Sequence, residues 1–130
     1  MRFLPKIVRK YPVTTLIVMV IWVLCLVPIP QTPLSGLTLV DKWTHIIMYL
    51  ALSMVVGIEY WRNTHSQSFG GRFLYVFLLP VVMGGLLEII QATATCGMRS
   101  GEWLDFAADT CGSAIAFVIC ILLARCYSRA

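Results

Sequence analysis

The sequence predicts an all-α polytopic membrane protein, a compact bundle of four transmembrane helices with its N and C termini in the cytoplasm. Three observations carry that reading. Of the 130 residues, 59% are hydrophobic and only 12% charged, far from the balance of a water-soluble globule. Four segments, about 13–29, 43–60, 73–94 and 103–124, approach the roughly 20 apolar residues that a bilayer core requires. The charges, finally, sort by side once they are placed between those segments. The remaining chain is too short to bury a core of its own, so residues 1–130 form a single membrane domain.

The first segment follows Arg2, Lys6, Arg9 and Lys10, as the core of a secretory signal would. The apolar run is longer than the roughly 7–15 residues of such a core, and Pro28 to Pro33 offers no small-residue cleavage site. It therefore reads as a spanning helix. A connection from Pro30 to Val40, with Pro30, Pro33 and Gly36, leads to the second segment. Arg62 to Arg72 reads as a polar loop, with His65 solvated and Gly70-Gly71 flexible. In the third segment Pro80 removes a backbone donor one turn before Gly84-Gly85, which predicts a bend. Cys96 to Trp103 is a tight turn in which Ser100 is placed to cap the last helix. That helix carries a stripe of small residues, Ala108, Gly112 and Ala116, suited to close helix packing.

Eight of the ten basic residues fall on one side of these segments, which assigns that side to the cytoplasm of a bacterial inner membrane. Only Lys42 and Arg99 fall on the opposite side, where five of the six acids lie: Asp41, Glu88, Glu102, Asp105 and Asp109. The net charge of +4 is thus a topology signal and not a nucleic-acid surface. Cys25, Cys96, Cys111, Cys120 and Cys126 show no metal spacing, and an odd count leaves at least one thiol free. Cys96 and Cys111 both fall toward the outer side, and spacing does not decide whether they pair.

The polar residues of the outer side share helix faces. Asp41, His45 and Tyr49 form one stripe, Gly84, Glu88, Gln91 and Thr95 a second, and Asp105, Ala108, Asp109 and Gly112 a third. Glu88, fifteen residues past Phe73, lies roughly 22 Å along its segment, and Asp109 and Tyr49 each about 9 Å inside the start of theirs. An acid facing lipid costs roughly 2.5–3.5 kcal/mol, so these stripes are expected to face one another around an acidic pocket with one imidazole.

These residues resemble the VanZ-like family of small integral membrane proteins. Its pattern is matched by Asp41-Lys42-Trp-Thr-His45-Ile-Ile-Met-Tyr49, by Glu88-Ile-Ile-Gln91, and by Arg99 with Asp105 and Asp109 ahead of the small-residue helix, over roughly residues 28–120. Asp109 stands where the family typically carries Asn. The resemblance implies a cell-envelope role, with a link to teicoplanin-type glycopeptide susceptibility, and leaves the biochemical activity open.

Three readings follow. His45, Glu88 and Asp105 form a candidate catalytic acid–base set. Asp41, Lys42, Tyr49, Gln91, Arg99 and Asp109 would then hold an envelope lipid or lipid-linked substrate, with Lys42 or Arg99 on a phosphate. Alternatively the cluster is a non-catalytic network, and the small-residue faces dock a partner membrane protein or a second copy. The third reading is ion binding. One His with four nearby acids suits a hard or borderline cation, yet no HExxH or paired His is present, so neither a metal set nor a cofactor is assigned.

Overall fold

A computed structural model describes residues 4–27, 38–94 and 103–130, and all of its secondary structure is helical. A short helix α1 (Leu4–Lys10) leads into α2 (Pro12–Leu26), followed by α3 (Thr38–Asn63), α4 (Phe69–Arg72), a π-helical stretch (Phe73–Leu78), α5 (Leu79–Ala94) and α6 (Trp103–Arg129). Three spans, Val40–Asn63, Phe69–Thr93 and Trp103–Arg129, are long and apolar enough to cross a membrane. The fourth apolar helix, α2, has 15 residues. Residues 28 and 29, at the expected end of the first segment, lie outside the described residues.

The bundle is built around α3 and α6, its most extensively packed pair. Gly112 explains why. A Cβ at that position would collide with the Ile46 carbonyl oxygen and lie 2.9 Å from the Leu50 nitrogen, so the two backbones touch there. Ala108 and Ala116, one turn to either side, are buried on the same stripe. Helices without a water-driven hydrophobic force between them associate through such close approaches. Large apolar side chains point outward instead, among them Leu16, Ile47, Ile89 and Leu123. Trp43 and Trp103, at one end of the bundle, and Trp61, at the other, are exposed in the manner of interfacial anchors.

The three long spans exceed their expected bounds, whereas α2 stops at Leu26, with Val27 extended, short of the expected residue 29. α3 begins at Thr38, five residues before the expected start, so Asp41 and Lys42 belong to its first turns. The third span starts at Phe69 and absorbs Gly70-Gly71, which sequence assigned to a flexible loop. Ser68 accepts the Gly71 N–H at 3.1 Å and caps it. Gly71 is also needed there, because a Cβ would strike the Tyr60 hydroxyl. A π stretch lies just ahead of Pro80, in which the Leu79 N–H reaches back five residues to the Leu74 carbonyl.

α2 runs antiparallel to α3 and is tied at both ends. Tyr11, its N-cap, makes no side-chain cap. Glu59 of α3 supplies one from across the bundle, accepting the Val13 N–H at 3.0 Å and the Thr14 N–H at 3.1 Å. At the other end the Gln91 amide donates to the Cys25 carbonyl at 2.8 Å.

Candidate functional site

Apart from Glu59, the charged residues of the bundle interior gather at the end formed by the start of α3, the close of α5 and the start of α6. Lys42 and His45, three apart on α3, share a face, as do Asp105 and Asp109, four apart on α6. Because α3 and α6 are in backbone contact, the two pairs meet. The Lys42 ammonium is bonded to Asp105 and lies 3.8 Å from Asp41. Asp105 stands 3.8 Å from His45 Nε2, and His45 Nδ1 is 2.8 Å from Asp109 Oδ1. The result is a chain of alternating basic and acidic groups, Lys42, Asp105, His45, Asp109, that passes from the half-buried ammonium to a carboxylate 1% exposed.

Such a chain has a chemical consequence. With Asp109 ionised, Nδ1 carries the proton it donates to that carboxylate, which leaves the Nε2 lone pair on the side of Asp105. The imidazole is thereby oriented through Nδ1 and buried, with Nε2 left to exchange a proton, which is the arrangement a proton-transferring histidine needs.

Glu88 enters from α5. One ligand atom each of His45, Glu88 and Asp109 lie within 4.8 Å of one another, and a second such group joins Asp41, His45 and Asp105. Gly84, one turn before Glu88, makes room for the junction: a Cβ there would lie 2.8 Å from Asp109 Oδ2. Tyr49 is fully buried, and its hydroxyl has no hydrogen-bond partner among the described residues.

The structure thus brings His45, Asp105, Asp109, Lys42 and Glu88 to one end of the bundle, with Asp41 at its exposed edge. The Gln91 amide donates to the Cys25 carbonyl of α2. Arg99, expected to serve the pocket, lies outside the described residues, as do Cys96, Ser100 and Glu102. Cys111 is a free, exposed thiol. His65 is exposed, as expected of a solvated side chain.

Three buried polar side chains were not singled out from sequence. Ser53 and Ser113 are fully buried with no hydrogen-bond partner among the described residues. Each lies four residues beyond a site residue, Tyr49 or Asp109, so continuing the helical count by one turn reaches them. Glu59 carried a signal too, as an acid inside an apolar span.

A cavity of about 250 Å³ lies toward the opposite end, lined by Gly57, Trp61, Arg72, Val76, Cys120 and Tyr127 among others. It is mainly apolar, and none of the charged chain lines it.

No protein-family model matches the chain, and neither a curated protein nor a solved structure is significantly similar to it.

Proposed function

We propose that this chain is a VanZ-like protein of the bacterial inner membrane that receives the polar head of an envelope lipid at the His45 end of its bundle and exchanges a proton with it. The observation that carries the proposal is the buried chain Lys42, Asp105, His45, Asp109. Ionisable groups inside a span are costly, and a connected set with an oriented imidazole is what chemistry would require. In this reading Lys42 attracts the anionic part of the head group, His45 moves the proton, Asp105 and Asp109 orient it, and Glu88 completes the acidic wall. The family assignment rests on the ordered motif from Asp41 to Gly112.

The topology proposed is four spans with both termini in the cytoplasm. Two features support counting α2 as a span. Glu59 holds one of its ends and Gln91 the other, and these residues lie near opposite ends of the long helices. Arg62, Arg72, Arg125 and Arg129 fall at the end away from His45, as the positive-inside rule requires for a cytoplasmic face.

A second reading has one observation in its favour: all four residues of the charged chain lie on α3 and α6, so they also tie the principal helix pair. In that case the protein is an accessory subunit. Its docking face would not be the stripe of Ala108, Gly112 and Ala116, which is buried inside the chain itself. The test is untargeted lipid analysis of membranes from cells with and without the protein, alongside their susceptibility to teicoplanin. A lipid class that changes with the protein supports the first reading, and identical lipid profiles support the second.

A further inference from the structure

We propose that His45, Glu88 and Asp109, together with the Tyr49 hydroxyl, form a binding site for one divalent transition-metal ion. The site draws on three helices, and the inference holds whatever the pocket receives from the membrane.

One observation beyond the acidic cluster points to a ligand, and it is Tyr49. It is 0% exposed, lies one turn below His45 on the same face of α3, and feels the charges of both Asp109 and Glu88. Helical side chains lean toward the N-terminus, which carries the phenol up toward the imidazole. Its hydroxyl has no hydrogen-bond partner among the described residues, although buried tyrosine hydroxyls ordinarily find one. Gly84 explains how the groups come together: a Cβ there would stand 2.8 Å from Asp109 Oδ2, so glycine is what lets the helix that presents Glu88 pack against the opposing carboxylate.

The surroundings decide where the ion sits and which ion suits it. In the alternative group, Asp41, His45 and Asp105, the Lys42 ammonium already contacts both carboxylates and is the resident cation. The group proposed as the site lies on the Glu88 side of the imidazole. Its other nitrogen, Nε2, faces Asp105 at 3.8 Å, and a carboxylate on the far nitrogen is what orients a ligating histidine. One imidazole nitrogen with carboxylate and phenol oxygens suits Zn²⁺ or Mn²⁺ better than Ca²⁺, which takes oxygen ligands alone. Two carboxylates also balance the charge of a dication, which favours its burial among apolar helices. Loading would exchange the Nδ1 proton for the metal, so binding releases a proton.

The test uses the full chain purified in detergent, stripped with a chelator and titrated with zinc, manganese and magnesium chlorides. Calorimetry gives the stoichiometry and affinity, and the electron paramagnetic resonance of bound Mn²⁺ reports its ligands. One zinc or manganese ion per chain is expected, with magnesium much weaker. Glu88→Gln should weaken binding by about a hundredfold and Tyr49→Phe by about tenfold, whereas Asp41→Asn stays within about twofold. Size-exclusion chromatography and circular dichroism establish that each variant is folded. If Glu88→Gln does not fold, the wild-type titration and Tyr49→Phe decide. The proposal is overturned by folded wild-type protein that binds neither ion saturably, by unchanged affinity in Tyr49→Phe and Glu88→Gln, or by loss of binding with Asp41→Asn alone.

Discussion

His45 Nδ1 stands 2.8 Å from Asp109 Oδ1, on helices whose backbones meet at Gly112 one turn deeper. The close approach and the polar contact are linked. A wider separation of α3 and α6 would leave a buried imidazole and a buried carboxylate apart in an apolar medium, where each is expensive.

Gly112→Ala is therefore expected to cost about 1–3 kcal/mol, since the added methyl meets backbone that cannot rotate away. Gly70, which has nothing within 4 Å of a built Cβ, is the control. Gly70→Ala should be neutral or gain about 0.5–1 kcal/mol through helix propensity. Thermal unfolding in one detergent compares the two.

The Lys42 and Asp105 pair gives a second expectation. Lys42→Met leaves the Asp105 carboxylate buried without its ammonium, which costs about 3–5 kcal/mol. Adding Asp105→Leu removes the stranded charge, so the double variant should recover much of that loss. A double variant less stable than either single one would show that the pair is not coupled as described.

Glu59 makes a local prediction. Glu59→Ala strips two backbone donors of their acceptor and should cost about 1–3 kcal/mol. Hydrogen exchange would locate the effect, with the Val13 and Thr14 amides losing protection first while α6 remains protected.

Topology is tested by reporters. A fusion after Ala130 and an insertion at Ser66 are both expected to be active only in the cytoplasm, because Arg62, Arg72, Arg125 and Arg129 flank these points. Periplasmic activity at either position would reverse the assigned sides.

Much of this was legible because helical geometry is local. The i, i+4 count grouped Asp41 with His45 and Asp105 with Asp109, and the small residues around Gly112 marked a packing face. What sequence hid is pairing over distance. Glu59 caps a helix 45 residues away and Lys42 meets an acid 63 residues away, and no periodicity announces either. Gly70-Gly71 misled for a different reason: glycine pairs signal turns, yet a capped helix start tolerates them when a neighbour such as Tyr60 needs the space. Gln91 shared the face of Glu88 but found its partner on α2, whose position relative to α5 depends on the assembled bundle.

The most direct test of the account is lipid composition measured in cells that carry no protein, wild-type protein, or His45→Asn at matched abundance in the membrane. The account predicts a lipid class altered by wild-type protein and restored to the protein-free level by His45→Asn, with the variant still folded. A lipid profile that responds equally to wild type and to folded His45→Asn would contradict it and leave the charged chain a tie between α3 and α6.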